Sequence, residues 1–139
     1  YHLEELALRE SVQKIDESDL DRLNTYIEQM QGAIEQKDNH TYGKLNRAFH
    51  MAIYEYCGLP TLLSMIEDLW NKAELNRCRT VFYLVPNMAE HSFEEHVELL
   101  VRIREKDMEG AIEILRRHKN YSRVKLLESL ESLDNQEIA

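Results

Sequence analysis

Three histidines and one asparagine carry most of the chemistry this chain can offer. In the stretch Leu45-Asn46-Arg47-Ala48-Phe49-His50-Met51-Ala52-Ile53, Asn46 and His50 stand four residues apart. On a helix they share a face, beside an apolar stripe of Leu45, Phe49, Ala52 and Ile53. An amide oxygen and an imidazole one turn apart are two ligands for one metal ion. His96 precedes Val97, Leu99 and Leu100, and His118 follows Ile114 and Leu115, so both sit in apolar helical patterns. His96 lies ten residues before Lys106 and His118 eleven after Asp107. A tight turn at Lys106-Asp107 therefore places the two at matching heights on an antiparallel hairpin, to within roughly 2 Å. Turning three imidazoles inward is costly unless their nitrogens are satisfied. A divalent metal does this for all three at once, and three His plus an oxygen suit zinc, nickel or a similar first-row ion. The alternative is a private carboxylate or carbonyl partner for each ring. His2 and His40 read as solvated. His91, five before His96, points away from it and reads as non-ligating.

The chain that must position these groups has 139 residues, enough for one domain with a real core. It holds only 4 Gly and 2 Pro, so most of it should be helix. The formal charge of −9, with no Lys/Arg stripe to offset it, argues against nucleic-acid binding by this piece. No apolar run approaches the ~20 residues of a membrane span, and no signal peptide is visible. With two cysteines, Cys57 and Cys78, both reading as reduced thiols, the expected setting is cytoplasmic. A helical pattern opens at Tyr1 without an initiator Met, as in a fragment of a longer protein.

In order, the spacing predicts a first helix from about Leu3 to Ile15 and a second capped by Ser18, with Leu20, Leu23, Ile27, Met30 and Ile34 on one face. Asp38 or Thr41 caps a third helix, which runs to Cys57 and stops at Gly58. Pro60 opens a fourth, with Leu62, Leu63, Ile66, Leu69, Trp70 and Ala73, which can extend past Arg79. The run Val81–Val85 reads as irregular or frayed helix. Ser92-Phe93-Glu94-Glu95 matches a capping box for a fifth helix, ending near Glu105. Asp107 caps a sixth, and the polar tail from Ser132 to Ala139 should fray.

Leu45-Asn-Arg-Ala-Phe-His50, Glu95-His96, Asp107 and Arg117-His118, with 22 residues between the last two His, together resemble the C-terminal effector (FCD) domain of GntR-type bacterial transcription regulators of the FadR subfamily. The similarity runs from Leu3-Glu4 to about Leu130, and residues 1–139 read as one such domain. It implies an all-α antiparallel bundle of six to seven helices with an internal ligand and metal pocket. By position the ligands would be Asn46, His50, His96 and His118. The family often has Asp where this chain has Asn46, and a neutral amide is the weaker ligand. The resemblance further implies a homodimer sensing a small carboxylate effector. Operator DNA would be bound by an N-terminal winged-helix domain absent from this chain. Arg77, Arg79 and Tyr83, near the end of helix four, could lend charge or a hydroxyl to the effector; the other reading of the two Arg is solvated surface charge.

Two further functions compete with a sensor. A three-His site with open positions could activate water as a metal-dependent hydrolase. Against that, Glu95 is claimed by the capping box, and no Ser–His–Asp, Cys–His or phosphate-loop arrangement is visible. The other is a ligand-free helical dimerisation module.

Overall fold

Three of the helix starts are fixed by residues whose chemistry is legible one at a time. Asp16 accepts from the Asp19 N–H at 2.9 Å while the Asp19 carboxylate accepts from the Asp16 N–H at 3.0 Å, a reciprocal cap for the second helix. Ser18, predicted as that cap, lies inside the first turn and donates to Asp16 Oδ1. A carboxylate two residues earlier takes the site because it binds the N–H groups with full charge. Asp38 caps the third helix, accepting from the Thr41 N–H and hydroxyl. Asp107 caps the last, accepting from the Gly110 N–H.

The computed structural model describes residues 1–75 and 81–138. The described residues form helices α1 (His2–Val12), α2 (Glu17–Glu35), α3 (Asn39–Tyr54), α4 (Pro60–Leu75), α5 (Val81–Leu84), α6 (Met88–Arg104) and α7 (Met108–Ile138), with one 3-10 turn at Glu55–Cys57. The all-α architecture of six to seven helices is as expected. None of the helices is long and apolar enough to cross a membrane.

Two hairpins make the frame. The α2–α3 and α6–α7 turns share a device: Lys37 and Lys106 adopt positive φ (54° and 59°), each followed by the capping Asp. The next N–H reaches back over the turn, Asp38 to the Ala33 carbonyl and Asp107 to the Arg102 carbonyl. A left-handed lysine costs energy that glycine would not. At Lys106 it is offset, because the ammonium is delivered to the carbonyls of Val12 and Ile15 just beyond the end of α1. Helix α1 thus lies across the hairpins, against α3, α4 and α7. Gly58, at φ 70°, ends the 3-10 turn as predicted. Leu8, Leu23, Phe49, Ile53, Ile103 and Ile112 are among the fully buried side chains.

Three boundaries differ from expectation. Helix α1 stops at Val12, and Ile15 is buried in the following turn. Helix α6 starts at Met88, behind a left-handed Asn87, so Ser92 and Glu95 lie inside the helix and form no capping box. Buried Met88 and Ala89 anchor the extra turn, which local capping chemistry cannot reveal. The polar tail does not fray: α7 continues to Ile138. Val81–Leu84 forms a single α-turn.

Candidate metal centre

Each hairpin contributes to one point in the core. Helix α3 turns His50 inward beside Phe49 and Ile53, α6 supplies His96, and α7 supplies His118; all three are buried. The matched heights of His96 and His118 hold, with ring centroids 4.8 Å apart. His50 lies 5.0 Å from the first ring and 5.2 Å from the second. One nitrogen from each imidazole lies within 4.8 Å of the others, and the Nε2 atoms of His50 and His96 are 3.0 Å apart.

What surrounds the rings fixes their tautomers. The Nδ1 of His118 is 3.2 Å from the Glu95 carboxylate, which can only accept, so this nitrogen carries the proton. The Nδ1 of His96 meets the Tyr42 hydroxyl at 3.2 Å, and that hydroxyl donates its own proton to Ser92 Oγ at 2.9 Å. Its oxygen is left to accept from His96. The Nδ1 of His50 meets the Tyr54 hydroxyl at 3.4 Å, and Tyr54 bonds in turn to the Glu4 carboxylate. These partners favour a proton on the outer nitrogen of each ring and leave Nε2 free to serve as a ligand atom. Two ring nitrogens 3.0 Å apart are held either by a proton that one donates to the other or by a cation between them.

Burial pushes His50 and His96 well below the ordinary imidazole range; Lys119, His96 and His118 add to this at His50, and His118 and Lys119 at His96. Burial also lowers His118, against the opposing pull of Glu95. The rings are neutral, which is the ligating form. Burial raises the Glu95 carboxyl, but the hydrogen bonds from His118 and Arg117 outweigh it and hold it below its usual value. Glu4 behaves alike: burial raises it, and Lys119, 3.0 Å away, with the Tyr54 and Trp70 hydrogen bonds, brings it down. Both carboxylates stay charged and keep accepting. His91 stands outside the cluster, stacked on Tyr121 with its Nε2 3.2 Å from Glu95.

Asn46, one turn before His50, is buried, and its Oδ1 has no hydrogen-bond partner among the described residues. An orphaned amide oxygen costs about 1–3 kcal/mol unless something binds it. It lines a cavity of about 130 Å³ together with His118, Trp70, Phe82 and Lys119. Drug-sized ligands need ~300 Å³ or more, so this space suits a small molecule. Three convergent imidazole nitrogens and an unsatisfied oxygen beside them fit a first-row divalent ion.

Of the remaining expected residues, Arg77 and Arg79 lie outside the described residues, as does Cys78. Tyr83 is exposed and lines a separate surface groove with Lys37 and Pro86; its neighbours Val81 and Phe82 wall the cavity instead. A four-residue turn can face only one way, and the two apolar side chains take the inner face. Glu4, Tyr42, Tyr54 and Glu95 went unrecognised as parts of the site. Tyr54 carried a signal, standing four residues after His50 on the same helical face.

The fold has a counterpart among known proteins. The FCD domain family matches residues 1–120. The chain belongs to the FCD family. Among curated proteins it is similar to the HTH-type transcriptional regulator McbR of Escherichia coli (strain K12), with 32% identity over 114 residues, covering 79% of this chain and 50% of McbR. A solved structure of E. coli McbR/YncC superposes with a TM-score of 0.80 at 27% identity, covering 95% of this chain and 64% of that one. The FCD chain thus spans about half the length of the curated relative it matches.

Proposed function

We propose that residues 1–139 form the ligand-sensing domain of a transcription regulator, holding one divalent metal, zinc or nickel, through Asn46, His50, His96 and His118. The observation that carries this reading is the buried cluster of three imidazoles with ring nitrogens within 4.8 Å, each ring having an outer partner on Nδ1. Such a metal supplies charge and open coordination positions for a ligand. Three neutral imidazoles and a neutral amide leave a divalent ion at +2, and in apolar surroundings an anion is favoured there. A small carboxylate answers that charge with two oxygens, and Lys119 on the cavity wall adds a cation. Arg77 and Arg79 stand in sequence between cavity-lining Glu74 and Val81, and they are our candidates for further effector contacts, whereas Tyr83 faces a separate groove. McbR is named an HTH-type regulator and only half of it is covered by the match, which supports a longer protein whose other part binds operator DNA; we take that protein to work as a homodimer.

The reading favours sensing over hydrolysis, because Glu95 is held on the outer side of His118 and already bonded to His118 and Arg117. The test is elemental analysis of protein purified without added metal. About one ion per chain is expected, with loss of metal and of melting temperature together in His96→Ala and His118→Ala. Full metal retention in both variants would refute the site. Mass spectrometry of ligand released from the wild-type protein then identifies the effector, and a turnover screen on the metal-loaded protein separates sensor from hydrolase.

A further inference from the structure

Helix α1 buries Ala7, Leu8, Ser11 and Val12, but none of residues 1–6 is buried. What ties its first turn to the bundle is partly buried Leu3 and the Glu4 side chain, which is 13% exposed. The Glu4 carboxylate collects donors from three other helices. The Lys119 ammonium of α7 lies at 3.0 Å, the Trp70 indole N–H of α4 at 3.1 Å, and the Tyr54 hydroxyl of α3 bonds to it as well. Lys119 also lies over the Trp70 ring, 4.4 Å from its centroid. A carboxylate is thus already seated on a cation and two neutral donors, the donor set a carboxylate ligand needs. That seat borders the effector site. Lys119 and Trp70 both line the cavity of about 130 Å³ that holds Asn46 and His118. The acid on the same wall, Glu74, is paired with Arg47 at 2.8 Å, and Lys119 is the one cation among the described lining residues. Lys119 lines the outer groove as well, together with Tyr1 and Arg116, so its side chain stands between that groove and the inner cavity.

We propose that an entering effector carboxylate takes Lys119 and the Trp70 N–H from Glu4, so that Glu4 is an internal competitor of the effector and its release loosens the first turn of α1. The inference rests on the sensing reading above and adds the regulation of that site. One indole N–H serves one acceptor, and two carboxylates drawn to one ammonium repel each other, so binding there is an exchange. A ligand with a second anionic group answers both positive ends of the cavity, the metal beside His118 and the ammonium of Lys119. Once Glu4 is displaced, Leu3 is the remaining inward side chain of the first turn. The four buried residues farther along α1 keep the rest of the helix in place, so the loosening is confined to its start.

Malonate serves as the probe, titrated into protein whose metal content has been measured. Trp70 is the chain's single tryptophan, so its fluorescence reports on the seat directly. Malonate is expected to change that emission and to speed amide hydrogen exchange over residues 5–8, whose N–H groups bond to the carbonyls of the helix start. Glu4→Gln keeps an acceptor for Tyr54 and Trp70 and removes the charge facing Lys119, so it should lower the malonate Kd about tenfold. Lys119→Met should raise it about tenfold. Because Glu4 competes through Lys119, the gain from Glu4→Gln should shrink to less than about twofold in the E4Q/K119M double variant, measured against K119M. A gain of equal size in both backgrounds would show that Glu4 acts on the fold alone and would overturn the exchange. So would a Kd indifferent to both substitutions, malonate binding that leaves the Trp70 emission and the α1 amides unchanged, or metal-loaded protein that binds no malonate. Each of those results leaves the metal site standing. Absence of metal from the wild-type protein would instead bring down the sensing reading, and this inference with it.

Discussion

At the scale of single residues, the centre depends on protons as much as on distances. The Tyr54 hydroxyl stands between His50 Nδ1 and the Glu4 carboxylate, so Tyr54→Phe removes the group that holds the His50 proton outward. Loss of such an outer partner typically costs 10- to 100-fold in metal affinity, and that is the expected result, read by competition with a chromophoric chelator. Glu95→Gln should weaken binding by a comparable factor, since an amide accepts less strongly from His118 Nδ1. Asn46 supports an opposite prediction. Asn46→Asp brings a divalent ion from +2 to +1, so the metal should bind more tightly and a carboxylate effector less tightly. Calorimetric titration of one carboxylate into both fully loaded proteins decides it. Equal or tighter ligand binding in the Asp variant would mean that charge balance does not govern recognition.

At the scale of elements, the α6–α7 turn is the register device, because it sets His96 and His118 level. Asp107 caps α7 by accepting from the Gly110 N–H at 3.0 Å, and a Cβ on residue 110 would run into that carboxylate. Gly110→Ala should therefore cost about 1 kcal/mol through the lost cap. In an Asp107→Ala background the same change should stabilise by a few tenths to about 1 kcal/mol, because alanine is the better helix former. Urea denaturation of the two singles and the double measures this sign change. Additive single effects would show that the cap and the glycine are uncoupled. The same turn anchors α1, since Lys106 donates to carbonyls of Val12 and Ile15. Helix α1 in turn delivers Glu4 to Tyr54, so the hairpin and the outer partner of His50 are mechanically linked.

At the scale of the whole molecule, three buried neutral imidazoles link stability to pH. Folded His50, His96 and His118 resist protonation, while the same residues in the unfolded chain titrate near pH ~6.5. Below that value the unfolded chain binds more protons than the folded one. Stability is therefore full above pH ~6.5 and falls as the pH drops, by up to ~1.4 kcal/mol per pH unit for each ring. Glu4 and Glu95, held low in the fold, lose their contribution in the same direction at lower pH. Chelator-treated protein should thus show a denaturation midpoint that declines steeply between about pH 6.5 and 5. A bound metal should move the onset lower, because it competes with the protons for Nε2. A metal-free protein equally stable across that range would show that the rings are not held neutral.

Much of this organisation is local and so was legible in the chain. Scarce glycine and proline, the 3–4 spacing of Leu20, Leu23, Ile27 and Met30, and Asp38, Gly58 and Asp107 at helix ends give the helices and most of their limits. The equal distances of His96 and His118 from one turn give their juxtaposition, because helical rise is constant. Other features needed contacts between distant segments. Glu95 reads locally as an end-of-helix carboxylate; only packing of α6 on α7 makes it the partner of His118, 23 residues away. Glu4 reaches Tyr54 and Trp70 only because α1 crosses the bundle. The start of α6 at Met88 rests on burial, not on a cap. Short-range periodicity and capping determined the elements, while the directions of the imidazole protons were decided by tertiary structure, since their acceptors are chosen by proximity in space.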